Sequence, residues 1–136
     1  GFDENTMSLS LLRATIRPDV TSDMGHHNFS YMIYPHENGA VEAGVNKLAF
    51  QFNEQLVKSD VSYNGDTFEP LYLQAMKQSE DGSMTVIRLS EQDGKRGKIK
   101  LSKSVKLLDM LENVIGEAVD TLEYKPFEII TIGIQK

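Results

Sequence analysis

Hydrophobic and polar residues alternate over much of this chain, the pattern of strands that bury one face. Met7, Leu9 and Leu11 alternate with Ser8 and Ser10, which predicts a strand over Met7 to Ala14. Asn28 to Tyr34 repeats the pattern with Phe29, Tyr31 and Ile33 on one face. Aromatic and β-branched side chains suit a pleated surface, so a strand is expected there too. Between the two lies a polar loop, Thr15 to Gly25, with Pro18, Asp19, Ser22 and Asp23 as turn or cap residues. After a break at Pro35 to Gly39 the period changes. Val41, Val45, Leu48 and Phe52 recur at helical spacing, which predicts a helix over Ala40 to Asn53, weakened by Gly44.

The polar stretch Lys58 to Glu69, with Asn64-Gly65-Asp66, predicts a turn or a boundary, dividing the chain into residues 1–57 and 58–136. Beyond it the pattern is β throughout. Strands are expected at Leu71 to Lys77 and Thr85 to Ser90, parted by the turn residues Glu80-Asp81-Gly82. Thr85 to Leu101 reads as one hairpin closed by Gln92-Asp93-Gly94-Lys95, because Asp-Gly between two alternating runs is a strong hairpin signal. Val105 to Leu111 and Phe127 to Ile134 complete the expected set. The last has apolar residues on both faces, as a strand internal to a sandwich does. The fold class expected is mainly β, an antiparallel β-sandwich with one short helix.

Composition narrows the function. Cysteine is absent from the 136 residues, which excludes disulfides, thiolate zinc sites and a cysteine nucleophile, and favours a cytoplasmic setting. A net charge of −6 without a basic run argues against nucleic acid as a partner. No apolar run approaches the roughly 20 residues that cross a bilayer, so no membrane partner is expected. The opening residues lack the basic start and apolar stretch of a signal peptide, and position 1 is not Met. The expectation is a piece of a longer protein.

Candidate chemistry is sparse. His26, His27 and His36 are the only histidines. Adjacent residues of a strand point to opposite faces, so His26 and His27 do not readily share an ion, and no metal site is expected. No serine sits in a Gly-x-Ser-x-Gly elbow, and the glycines of Asp93-Gly94-Lys95-Arg96-Gly97 fit no phosphate-cradling loop. Asp109 and Glu112 form a carboxylate pair of the type glycosidases use, but Leu108, Met110 and Leu111 around them read as core-facing. Strand-edge charges are the better account of that pair. No catalytic residue is expected.

A resemblance adds to this. Leu11-Leu12-Arg13, Pro18-Asp19, then Asp23, Gly25, His27, Phe29 and Tyr31, and Pro35-His36, occur in one order and spacing, followed by Ala49 and Asn53. The segment Asp109-Met110-Leu111-Glu112 and the closing Pro126-Phe127-Glu128-Ile129-Ile130-Thr131-Ile132 extend the pattern. It resembles the C-terminal β-domain of glycoside hydrolase family 38 α-mannosidases of the bacterial type. The one departure is Gln92-Asp93-Gly94, where relatives often carry Asn-Gly. The resemblance implies that residues 1–57 end a mutarotase-like supersandwich and that 58–136 form a small terminal sandwich. It further implies a parent enzyme that cleaves α-mannosides with retention, through an Asp nucleophile and a zinc ion held in its N-terminal catalytic domain. That domain is then the partner, the α-mannoside is reached only through it, and the chain itself holds no cofactor. Arg13, Asp23, His27 and His36 are the candidates for contacts at such an interface or cleft rim, with local loop fastening the competing role. A carbohydrate-binding or interaction module is the alternative. A chain that begins within a β-rich region is also expected to expose a strand edge that invites homodimerisation.

Overall fold

The computed structural model describes residues 2, 3, 5–13, 15–54 and 63–135 and divides the chain into two compact units, Gly1–Pro35 and His36–Lys136. The boundary expected between residues 57 and 58 lies outside the described residues. In the first unit, β1 (Phe2–Asp3) pairs antiparallel with β2 (Thr6–Met7). The strands expected over Met7 to Ala14 and Asn28 to Tyr34 do not form. Residues 8–13 and 28–34 carry no regular structure, and Ala14 lies outside the described residues. Alternation encodes which face is to be buried, but a strand persists only when a neighbour takes its N–H and C=O groups. Among the described residues neither segment has one. Met7, Leu9 and Leu11 instead line an open apolar cleft of about 600 Å³ together with Tyr31, Met32 and Ile33.

In the second unit the expected helix is cut short at its start. α1 runs over Val45–Asn53. Ala40 to Gly44 form turns, because Gly44 takes a left-handed conformation (φ 68°) that ends one turn and starts the next.

Five strands make the sheet: β3 (Tyr72–Gln78), β4 (Met84–Ser90), β5 (Gly97–Leu108), β6 (Val119–Tyr124) and β7 (Ile129–Gln135). Their order is β3-β4-β7-β5-β6, with every pair antiparallel. This overturns the expected hairpin. The Asp93-Gly94 turn is present, with Gly94 at φ 71°, but the strands it joins are not neighbours. β7 lies between them, pairing Ile87 with its Ile132 on one side and Leu107 with the same Ile132 on the other. The expectation that the last strand is internal holds: Ile130, Thr131 and Ile132 are all buried.

β5 is long enough to pair with a different strand along each half. Its first half pairs with β6 through Gly97–Lys100, its end pairs with β7 through Lys106–Leu108, and the register slips between Lys100 and Val105. Such an irregularity bends a strand and increases its twist. Asp66 holds it, with Oδ2 accepting the Ser102 backbone N–H (2.9 Å) and hydroxyl (3.0 Å). The bend brings Leu101, Val105, Leu122 and Tyr124 against Ile87, Leu89, Ile130 and Ile132, and Leu71 completes this core. Ile87, Leu89, Leu122 and Ile132 are at most 1% exposed. Full burial of such a side chain contributes roughly 1.5–3 kcal/mol, so these contacts dominate the stability of the unit.

Candidate functional site

The connection between β4 and β5 is organised by one carboxylate. Glu91 follows β4 and is 4% exposed. Its Oε1 accepts the backbone N–H groups of Asp93 (2.9 Å) and Lys95 (3.0 Å), and its Oε2 those of Gly94 (3.0 Å) and Phe127 (2.8 Å). Burial pushes its pKa up, but the four N–H donors outweigh burial and hold the carboxyl below its ordinary value. Asp93 then faces α1. Its Oδ1 accepts Asn46 Nδ2 (3.0 Å) and the Tyr72 hydroxyl (3.4 Å), while Asn46 also donates to the Gln92 carbonyl (2.8 Å). Burial raises the Tyr72 pKa, and Asp93 and Glu91 add to the effect. Phe50 of α1 packs on Tyr72 with ring centres 5.3 Å apart.

These contacts hold the helix beside β3 and leave a cleft of about 380 Å³ lined by Lys47, Phe50, Gln51, Glu69, Tyr72 and Asp93, among others. Lys47 and Glu69 are joined across it at 3.1 Å. The cleft offers an aromatic edge and hydrogen-bonding groups, which suits contact with a polar ligand. It is poorly arranged for proton transfer, because Glu91 and Asp93 already accept bonds that hold the fold.

The residues singled out from the sequence fall elsewhere. Arg13 is exposed in the first unit. Asp23 and His27 do meet there, but through the Asp23 main chain, whose carbonyl accepts His27 Nε2 at 3.0 Å. Asp23 has a positive φ of 63°, and His27 stacks on Phe29 with centroids 6.1 Å apart. Asp19 caps its own turn by accepting the Thr21 N–H and hydroxyl, which hold its pKa below the usual carboxylate value. His36 belongs to the second unit, where its Nδ1 donates to the Asn38 carbonyl at 2.6 Å. No group of three or more His, Asp or Glu residues able to hold a metal ion occurs among the described residues, so they supply no zinc ligand set.

The carboxylate pair after β5 is structural. Asp109 accepts the backbone N–H groups of Leu111 (2.8 Å) and Asn113 (2.9 Å) and the Asn113 side-chain amide (3.0 Å), and the amide and these N–H groups depress its pKa. Glu112 pairs with Lys77 at 2.7 Å. Of the three neighbours expected to face the core, Leu108 does so at 4% exposure, whereas Met110 and Leu111 are 62% and 83% exposed. A tight turn at Asp109–Asn113 reverses the chain and turns both outwards.

Residues 70–132 match the family described as the glycosyl hydrolases family 38 C-terminal beta sandwich domain. Residues 70–132 belong to that family. The match starts two residues before β3 and ends in β7, so this family 38 domain covers the five-stranded sheet. The chain is 30% identical to alpha-mannosidase G of Dictyostelium discoideum over 92% of its own length and 14% of that protein's. It is 31% identical to the alpha-mannosidase of Saccharomyces cerevisiae over 93% of its length and 13% of the yeast protein's. A shorter segment, 39% of the chain, is 49% identical to mouse alpha-mannosidase 2C1, covering 5% of that protein. The chain therefore spans about one-seventh of the length of the first two relatives. No solved structure matches it significantly. Among the described residues no helix is long and apolar enough to cross a membrane.

Glu91, Asp93, Tyr72 and Asn46 were not apparent from the sequence as a site. The available signal was the acidic residue two places before Asp93-Gly94, poised to accept the N–H groups that a tight turn leaves unpaired.

Proposed function

We propose that this chain is the C-terminal accessory portion of an α-mannosidase that hydrolyses α-mannosidic bonds with retention, and that the chain alone is inactive. The observation that carries this reading is the alignment of 92% of the chain with an α-mannosidase roughly seven times longer. Retention requires two carboxyl groups about 5–5.5 Å apart flanking the scissile bond. The acidic residues of the second unit that meet the cleft or the Asp109 turn are engaged instead in hydrogen bonds and ion pairs: Asp93 with Asn46, Glu69 with Lys47, Asp109 with Asn113 and Glu112 with Lys77. The zinc ion and nucleophile implied by the resemblance would then belong to a catalytic portion outside this chain. That portion is the partner, and the enzyme acts in the cytoplasm, a setting that suits a chain without cysteine.

The first unit supports the same reading. Leu9, Tyr31 and Ile33 are 66–68% exposed at strand spacing, as expected of residues whose neighbouring strands lie in another part of the protein. The test is metal analysis after dialysis. The isolated chain should retain no zinc, and the polypeptide that continues ahead of Gly1 should retain it. Zinc bound at unit stoichiometry by the isolated chain would refute the assignment.

A carbohydrate-binding role is the second reading, favoured by the cleft lined by Gln51, Glu69, Tyr72 and Asp93. Calorimetric titration of the chain with mannose and mannobiose decides it, with saturable heat supporting binding and its absence excluding it.

A further inference from the structure

The chain holds two Asn-Gly pairs, Asn38-Gly39 and Asn64-Gly65, and the residues of both are exposed. A glycine leaves its backbone nitrogen uncrowded, so that nitrogen can reach the side-chain carbonyl carbon of the asparagine before it. The two pairs share this chemistry but not their surroundings.

At the first pair, His36 Nδ1 donates to the Asn38 main-chain carbonyl at 2.6 Å. That carbonyl belongs to the same peptide group as the Gly39 nitrogen. When the nitrogen gives up its proton, the negative charge moves largely onto the carbonyl oxygen, where the His36 donor already points. A donor fixed on the atom that becomes an oxyanion lowers the barrier to such a step. The Gly39 carbonyl accepts the Ala43 N–H at 2.9 Å, which holds the next peptide group in place. The Glu42 carboxylate occupies the place a Cβ at Gly39 would take. Its charge opposes the anion, but it acts through screening solvent, whereas His36 bonds the oxygen directly.

At the second pair the surroundings are reversed. The Tyr63 ring fills the place a Cβ at Gly65 would take. The Asp66 N–H donates to the Tyr63 hydroxyl at 2.9 Å, and the Asp66 carboxylate holds Ser102. Among the described residues the Asn64 carbonyl accepts no hydrogen bond. This pair is pinned beside a ring and lacks the donor.

We propose that Asn38 is a site of spontaneous deamidation assisted by His36. Hydroxide from solvent takes the Gly39 N–H proton, and the nitrogen attacks Asn38 Cγ. A bond forms between that nitrogen and Cγ while the Cγ–Nδ2 bond breaks, and Nδ2 takes a proton from water and leaves as ammonia. Water then opens the cyclic imide at either carbonyl, which gives aspartate or isoaspartate at position 38. Nothing is oxidised or reduced. Either product adds a negative charge next to Glu37, and isoaspartate also lengthens the main chain just ahead of the turns that lead into α1. Those turns are closed by the Val45 N–H on the Ala40 carbonyl at 2.9 Å. The age of the protein is thereby linked to the seating of the helix that brings Asn46 to Asp93 and Phe50 to Tyr72.

The test incubates the 136-residue chain near neutral pH and follows both sites by mass mapping of its peptides, with a sample unfolded in guanidinium chloride alongside. In the folded chain Asn38 should convert at least about fivefold faster than Asn64, and faster than Asn38 of the unfolded chain, where the two sites should agree within about twofold. His36→Ala should slow Asn38 about fivefold and leave Asn64 unchanged. The thermal midpoint should stay within about 1 °C, as for other exposed positions. His36→Gln, which keeps a side-chain N–H donor, should recover part of the rate. Equal conversion of the two sites in the folded chain would overturn the proposal, as would an Asn38 rate that His36→Ala leaves unchanged. If His36→Ala unfolds the chain, the unmodified protein still decides: Asn38 converting no faster folded than unfolded would overturn it.

Discussion

Glu91 and Phe127 lie 36 positions apart and are joined twice over: the Glu91 carboxylate accepts the Phe127 N–H at 2.8 Å, and the Glu91 N–H donates to the next carbonyl, that of Glu128, at 2.9 Å. This ties the turn after β4 to the turn before β7, the strand inserted between β4 and β5. The pairing order of the sheet is therefore fixed where its connections meet, not by the turn residues alone.

Replacing Glu91 tests that relationship. Glu91→Ala removes the acceptor of four backbone N–H groups at a buried site and should cost about 3 kcal/mol. Glu91→Gln turns one carboxyl oxygen into an amide that faces two of those donors, and should cost about 2 kcal/mol. Urea unfolding at neutral pH measures both, and a loss below about 0.5 kcal/mol for each would contradict the role given to the carboxylate.

Much of the second unit was legible in the sequence, and the reason is burial. Phe127 and Ile129 on one face and Ile130, Ile132 and Ile134 on the other announce a strand apolar on both faces, and β3 and β4 lie within a residue or two of their expected bounds. The errors are of another kind. Asp93-Gly94 reports a local turn correctly, but which strands then pair is decided by contacts far apart in sequence, and β7 wins the place beside β4. β6 was missed because Val119-Asp120-Thr121-Leu122-Glu123-Tyr124 buries only Leu122 and Tyr124. In the first unit the alternation at Phe29, Tyr31 and Ile33 is real, yet no described strand lies beside it. The exposed Met110 and Leu111 could not be separated from core by hydrophobicity, since the turn that carries them outwards is set by the hydrogen bonds to Asp109.

Acid should weaken the second unit in a defined window. Backbone and hydroxyl donors of Ser83 and Ser79 hold Asp81 down to about 2 from an ordinary 3.8, and Glu91 is also held below its ordinary value. A carboxyl depressed in the folded state stabilises above its unfolded pKa and loses that contribution as pH falls through the folded one. Stability should therefore be flat near neutrality and decline from about pH 4 towards pH 2. Asp81→Asn should reduce the decline, as read by the urea midpoint across that range. An unchanged slope would contradict the assignment.

Truncation should be costly in the core and nearly neutral in the turn after β5. Ile132 is fully buried between β4 and β5, so Ile132→Ala should cost about 3–4 kcal/mol in the isolated chain. Leu111→Ala should cost less than about 0.5 kcal/mol there, because the side chain is 83% exposed. Denaturant unfolding of the two variants side by side checks the contrast.

The bend in β5 should depend on Asp66. Asp66→Ala leaves the Ser102 N–H without its acceptor at the register slip and should cost about 1–2 kcal/mol. Amide exchange at Ser102 should accelerate at least about tenfold while exchange in β7 changes by the global loss alone. Unaltered protection at Ser102 would show that the bend is held by packing instead.

The central claim is that this chain supplies scaffold and surface to an α-mannosidase without supplying its chemistry. The most direct measurement is turnover of an aryl α-mannoside, with zinc added, by the purified 136-residue chain and by the complete polypeptide. The account predicts no turnover above buffer for the chain and release of mannose with retained configuration by the complete polypeptide. Turnover by the chain alone, or none by the complete polypeptide, would contradict it.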